Sequence, residues 1–356
     1  EGRLIALAWQ GTADAVALTG DFAGWDPAAH PFVAPVPGFA FGVADVAVDE
    51  PLAPSLYKLV RPDGSFVADP LARRFGWDEF GEYSLTDARD DVGHHERWPD
   101  FAEAIGTLAP RDVVVYLPAG ALAERELAVL YMHDGQNLFA PDAAFGGWRV
   151  TTAVDEARAR AAIAPMMVVA IDNTAARFDE YTHVQDDIGS GLVGGRADAY
   201  ADFVALGLVP FIDARYPTRS DRESTAVLGS SLGGLVSLYI AWRHPDVFGA
   251  AGSMSGTLEW GRIGAEHDRI VELYASLPPE ALWIYLDSGG NGPCPVGGAD
   301  NYCVTIEMRD RLLELGWSEP GALVYAHSAG ATHDEAAWAA RLPGFLVVLG
   351  ESWPER

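Results

Sequence analysis

Residues 225–237 read TAVLGSSLGGLVS: an apolar run ends in Gly229-Ser230-Ser231-Leu232-Gly233, and apolar residues then resume at helical spacing. A strand, a turn too tight for flanking side chains and a helix are the parts that hold a serine hydroxyl out as a nucleophile. Ser231 has glycine two residues before and two after, whereas Ser230 would need one at Leu228, so Ser231 fits the frame. In a chain with 38 glycines that spacing alone says little, and the context gives it weight. Val227 and Leu228 lead in as a short strand, while Leu232, Leu235, Val236 and Tyr239 give the following helix one apolar face. Gly229 and Gly233 let strand and helix approach without a β-carbon between them, and the helix N-terminus favours negative charge near the hydroxyl.

A serine nucleophile needs a base, and the base needs an acid to orient it; in a strand-turn-helix setting they follow in the order serine, acid, histidine. Of nine histidines, His244, His267, His327 and His333 lie after Ser231. His244-Pro245 closes the helix and reads as a cap, and His327 ends an apolar strand. His333 sits in the small-residue loop Ser328-Ala-Gly-Ala-Thr-His333, where it can swing over a nucleophile. The acid is expected after the strand at 282–286. Asp300, in the glycine-rich insertion 289–303, is preferred, and Asp287 is the runner-up, since an aspartate before Ser-Gly-Gly is as readily a turn former. An oxyanion site takes one backbone N–H from Leu232 and a second from the turn after the strand at 128–133, where Gln136 is the choice. His133 reads as a residue packed beneath that site.

These residues resemble the esterase D-like, or "putative esterase", branch of the α/β-hydrolases. The likeness rests on Tyr131-Met-His-Asp-Gly-Gln-Asn-Leu-Phe139, Phe145-Gly-Gly-Trp148, Ile171-Asp-Asn-Thr174 with Arg177 and Asp179-Glu-Tyr181, Gly229-Ser-Ser-Leu-Gly-Gly234 and His333, and covers roughly residues 108–350. The resemblance implies hydrolysis of a carboxylic ester through an acyl-enzyme, without cofactor or metal, with mycolyl-type acyl transfer to an alcohol rather than water as the alternative outcome. Gly297-Gly-Ala-Asp300 matches the acid segment of S-formylglutathione hydrolases, displaced by an insertion, and mycolyltransferases of the same branch point to Gln136 as oxyanion donor. Trp148, Asn173, Arg177, Tyr181 and Trp260 are the expected pocket residues. The implied substrate is an ester of a polysaccharide or a small phenolic or acyl compound. A siderophore trilactone, as in enterochelin esterases, or an inert carbohydrate-binding or scaffolding role are the alternatives.

Alternating strands, at 113–117, 129–132, 167–171, 226–228, 250–254, 283–286 and 323–325, and helices, near 150–161, 196–214, 232–243, 266–275, 304–315 and 335–349, position these groups. They predict an α/β fold with a mostly parallel, doubly wound sheet and its site at the strands' carboxyl ends. Residues 1–92 alternate apolar and polar in short runs broken by Gly, Pro and Asp, which reads as an all-β sandwich. Leu18-Thr-Gly-Asp-Phe-Ala-Gly-Trp-Asp-Pro27 with Tyr57-Lys58, Asp63-Gly64 and Asp69-Pro70 resembles the immunoglobulin-like carbohydrate-binding module of family 48. Trp25 is then either a sugar platform or a structural tryptophan. Residues 93–107 read as a linker and 108–356 as the catalytic domain. Adjacent His94-His95-Glu96 point to opposite faces of an extended chain and form no metal motif.

The net charge of −27 over 356 residues argues against nucleic acid or an acidic membrane as partner, and no apolar stretch reaches spanning length. The start at Glu1 points to processing or truncation. Cys294 and Cys303 flank the acid loop. A disulfide there would brace Asp300 and imply an oxidising, extracytoplasmic compartment; two free thiols in a cytoplasmic protein are the alternative.

Overall fold

The computed structural model describes residues 2–9, 14–46, 54–88, 90–102, 108–121, 123, 126–189, 191–278, 280–294 and 299–353. The chain divides into two compact units, residues 1–98 with 115–120, and residues 99–114 with 121–356.

In the first unit the described elements are strands, apart from one short helical turn at Asp21–Ala23. One sheet has the order β1 (Gly2–Trp9), β5 (Phe39–Val46), β4 (Val33–Val36). A second is built from β2 (Ala17–Gly20), β3 (His30–Pro31), β6 (Leu56–Val60), β7 (Phe66–Val67), β8 (Arg74–Asp78) and β9 (Gly81–Leu85), with β10 (His94–Phe101) antiparallel to β8. The alternating pattern buries Leu18, Ala44, Tyr57 and Leu59 in one cluster, against which Phe22, Phe32 and Val67 pack. Residues 94–101 are therefore strand where a linker was expected, and residues 103–107 of that segment lie outside the described residues. His95 packs on Phe75, Trp77 and Tyr116, and burial lowers its pKa to about 3. Glu96 is held by Arg73 at 2.8 Å and Arg74 at 2.7 Å. Trp25 is half-buried, with its ring 6.4 Å from that of Phe66.

The second unit is a sheet with helices. After β11 (Arg111–Leu117), β12 (Ala128–His133) and β13 (Met166–Ile171) come the small hairpin β14 (Gln185–Asp187) and β15 (Leu192–Gly194), then β16 (Thr225–Ser230), β17 (Ala250–Met254), β18 (Trp283–Ser288) and β19 (Leu323–His327). The sheet order is β19-β18-β17-β16-β12-β13-β11. The pairs from β19 to β13 are all parallel. Every residue of β12, β13 and β16 is buried, as their unbroken apolar runs require of strands covered on both faces. The helices are α1 (Val150–Ala159), α2 (Arg177–Glu180), α3 (Ala197–Asp202), α4 (Val209–Asp213), α5 (Leu232–Arg243), α6 (Ile270–Leu273), α7 (Tyr302–Glu314) and α8 (Glu335–Ser352). Helix α5 packs on β16 and β17, α7 on β18 and β19, and α1 on α8. The single helix expected at 196–214 is α3 and α4 joined by a π-helical stretch, Phe203–Leu208. None of the described helices is long and apolar enough to cross a membrane.

Cys294 and Cys303 form a disulfide with Cα atoms 5.5 Å apart, closing the acid loop onto the first turn of α7. On the loop-entropy argument a closure of this length contributes about 2.5–3 kcal/mol. Urea unfolding of Cys294→Ser/Cys303→Ser should therefore show a loss of that size. The unfolded, unreduced wild-type protein should contain no titratable thiol, and two would contradict the bridge.

Candidate active site

Because the strands run parallel, the loops that follow β12, β13, β16, β17, β18 and β19 meet along one edge of the sheet. Ser231 occupies the turn between β16 and α5 with φ 56° and ψ −124°, a conformation that side chains rarely adopt. The turn is this sharp because Gly229 meets Gly233: a β-carbon at 229 would come within 2.5 Å of the Gly233 backbone. The Ser231 amide donates to the carbonyl of Met254 at 3.0 Å, tying the turn to the end of β17.

His333 comes from the loop between β19 and α8. Its Nε2 lies 2.9 Å from Ser231 Oγ and its Nδ1 lies 2.7 Å from Asp300 Oδ1. The ring also meets Trp338 edge to face, 5.0 Å between centroids. The next residue, Asp334, caps α8 by accepting from the Ala337 amide at 2.9 Å, so the histidine loop is anchored at its far end. The acid and histidine loops are laced to each other: Gly290 N–H donates to Ala331 O at 3.0 Å, and Ser328 N–H to Ser288 O at 3.0 Å. His327 is turned into this lacing, with Nε2 3.0 Å from Gly290 O.

Asp300 is buried and takes donors on both oxygens. Besides His333, it accepts from Ser255 Oγ at 2.7 Å, Arg341 Nη1 at 3.1 Å and the Gly289 amide. Burial pushes its pKa up, but the bonds from His333, Ser255, Gly289 and Arg341 outweigh burial and hold it below the usual value. Ser255 is a second junction, accepting from Arg341 Nη2 at 2.7 Å and Trp338 Nε1 at 3.1 Å. Asp287 is wholly buried, and its partners are Tyr285, whose hydroxyl donates at 3.0 Å, and Arg341 at 3.5 Å, rather than His333. Burial raises its pKa to about 7 against the opposing pull of Arg341.

The turn carrying Gln136 follows β12, next to β16 in the sheet. Its first residue, Asp134, stands at φ 57°. Arg177 grips both Asp134 oxygens, Nε at 2.7 Å and Nη2 at 2.8 Å, and Asn173 Nδ2 adds a bond at 2.6 Å. Helix α2, which carries Arg177, is tied to the first residue of β11 by a buried ion pair, in which Arg111 donates to Glu180 at 2.9 and 3.1 Å. Asn173 and Arg177, expected as pocket residues, thus reach the cavity while their polar groups are spent on Asp134. Tyr181 and Trp260 correct the expectation more firmly. Both are buried, 0% and 1% exposed, and neither lines the cavity beside Ser231. Trp260 donates to Val184 O at 2.8 Å, and Tyr181 packs against His133 and Tyr200. Burial lowers the pKa of His133 to about 3, and its Nδ1 lies 2.9 Å from the Tyr200 hydroxyl.

A cavity of about 400 Å³ opens over Ser231 and His333, with Gln136, Trp148 and Trp338 in its walls. That volume suits a small acyl or aryl group. Ser255, Arg341 and Glu335 are site residues that the motif spacing did not single out. One available signal was the three-residue interval of Trp338 and Arg341, which puts them on one face of α8 after the histidine.

Residues 107–348 match the sequence pattern of the family described as "Putative esterase". The uncharacterized protein YbbA of Bacillus subtilis (strain 168) is 23% identical over 236 residues, covering 63% of this chain and 86% of that protein. The iron(III) salmochelin esterase of Escherichia coli O6:H1 (strain CFT073) is 29% identical over 243 residues; the match covers 64% of this chain and 51% of that protein, about half its length. Among solved structures, the enterobactin esterase FES from Shigella flexneri in the presence of enterobactin superposes with TM-score 0.55 at 15% identity, over 98% of this chain and 93% of that one. A ferulic acid esterase superposes with TM-score 0.56 at 17% identity, over 74% of this chain and all of that one. At such identities the shared property is the fold.

The placement of the two aspartates separates their effects. Asp300→Asn should lower kcat for a p-nitrophenyl ester by about 10³–10⁴-fold, and Asp287→Asn by no more than a few-fold. Asp287 also predicts a pH dependence of stability. With a folded pKa of about 7 against an ordinary 3.8, the native state binds a proton that the unfolded chain has released between those values. Stability therefore falls as pH rises through that window. Urea midpoints of Asp287→Asn measured from pH 4 to 7 should show a flatter fall than wild type.

Proposed function

The chain belongs to the putative esterase family, and on that premise we propose that it is a serine carboxylesterase working through an acyl-enzyme. The observation that carries this reading is the hydrogen-bonded run from Asp300 through His333 to Ser231. His333 Nε2 takes the Ser231 proton as Oγ bonds to the ester carbonyl carbon, and Asp300 steadies the imidazolium so formed. The oxyanion is received by the N–H groups of Leu232, at the first position of α5, and Gln136. Collapse breaks the bond to the alcohol, which leaves with the proton from His333. Water then attacks the acyl carbon, gives its proton to the same nitrogen, and the acid departs as the proton returns to Ser231.

The substrate in this reading is an ester of a polysaccharide or of a small phenolic or acyl compound, sized to the cavity over Ser231. Residues 1–92 would form an immunoglobulin-like sandwich of the family 48 carbohydrate-binding type, residues 93–107 its link, and residues 108–356 the catalytic domain. The Cys294–Cys303 disulfide supports an oxidising, extracytoplasmic location. A siderophore trilactone is the second reading, favoured by the likeness to the salmochelin esterase and by the fold shared with the enterobactin esterase along nearly the whole chain.

Ser231→Ala, with an unchanged circular dichroism spectrum, should lose at least about 10⁴-fold in kcat on a short p-nitrophenyl ester. Retained turnover would overturn the assignment, and an inactive wild type would favour an inert binding role. Assayed side by side, methyl ferulate or acetylated xylan should be turned over faster than ferric enterobactin; the reverse order would favour the siderophore reading.

A further inference from the structure

Three charged side chains line the cavity over Ser231 and His333, apart from His333 itself: Asp134, Arg177 and Glu335. The first two answer each other. Arg177 forks onto both oxygens of Asp134, so its charge and best-directed donors are committed to that carboxylate. Glu335 has no such answer. It starts α8, two residues after His333, and the hydrogen bond on its carboxylate among the described residues is a long one, 3.4 Å, from the neutral amide of Asn137. No cation forms an ion pair with it among the described residues. A shallower cleft continues past His333, Glu335 and Trp338 and adds a further carboxylate, Asp334.

We propose that Glu335 makes this cavity charge-selective, so that it admits esters whose bound group is neutral or carries an ammonium and turns away those carrying a carboxylate or another anion. The inference rests on the reading of the cavity as an ester-binding site. Phe145, Trp148 and Trp338 supply apolar and aromatic surface on which an ammonium group can rest, while the carboxylate supplies the opposite charge. An anion placed there meets Glu335 across a space partly shielded from water, where like charges repel more strongly than in bulk solvent. Burial raises the pKa of Glu335 above the ordinary value, and the repulsion of Asp134 and Asp334 adds to it, against the opposing pull of its own backbone amide and of Arg177. An acidic residue in the first turn also favours the helix by itself. That role bears on stability and gives no ranking of ligands by charge.

The test compares three probes of one size, benzyltrimethylammonium, benzamide and benzoate, by NMR titration at pH 8 and low ionic strength, on wild type and Glu335→Gln. In parallel, kcat/KM is measured for p-nitrophenyl butyrate, p-nitrophenyl 4-(trimethylammonio)butyrate and mono-p-nitrophenyl succinate. Wild type should rank ammonium above neutral above carboxylate in both series. Glu335→Gln should shrink the ammonium-to-carboxylate ratio about tenfold. A ratio that the substitution leaves unchanged, or a wild type that prefers the carboxylate, overturns the proposal. If the titration shows the ranking and its collapse while no ester is cleaved, the charge selectivity stands and the esterase reading falls.

Discussion

A carboxylate buried beside an imidazole survives as an anion only if the surrounding groups replace the water it has lost. Asp300 meets that requirement with four donors, from His333, Ser255, Gly289 and Arg341, each delivered by a different part of the chain. Gly289 follows β18, Ser255 follows β17, Arg341 stands on α8 and His333 on the loop before it. Asp300 is therefore both the electrostatic partner of His333 and the point at which these segments are tied together. The glycine at 289 is part of the same constraint. A β-carbon there would lie 2.2 Å from Ala331 O and 2.7 Å from Asp300 Oδ2, pushing the acid and histidine loops apart.

The other side of the site is built by the same logic with different residues. Arg111 and Glu180 hold α2, α2 presents Arg177, and Arg177 fixes Asp134 at the head of the turn that bears Gln136. This chain of charge pairs explains why Asn173 and Arg177 look like ligand-binding residues in a sequence: polar groups at the ends of buried strands point toward the site edge in either role. Arg177 and Asp134 pair with one another, whereas the carboxylate of Glu335 forms no ion pair among the described residues.

Much of the α/β unit was legible because its signals are local. Unbroken apolar runs marked the parallel strands, and β17 begins and ends where its run does, at residues 250 and 254. Ser231 was readable from two glycines that serve one close contact, and His333 from a small-residue loop placed after a strand. The parts that were not legible are those fixed by distant partners. Asp287 lies at the end of β18 and Asp300 in the loop that follows it, and only the fold turns Asp300 toward His333 and Asp287 toward Tyr285 and Arg341. Tyr181 and Trp260 lie in segments with ordinary loop composition, yet tertiary packing buries them. Residues 94–101, rich in charge and aromatics, form a strand because β8 offers them a ladder and Arg73 and Arg74 balance Glu96. Gly297 and Gly298 of the acid motif lie outside the described residues.

The account stands on Ser231 being the group that His333 activates, and covalent capture tests that most directly. A fluorophosphonate probe should add once per molecule, and peptide mass spectrometry should place the adduct on Ser231. No adduct on folded protein, or an adduct on some other residue that persists in Ser231→Ala, would contradict it.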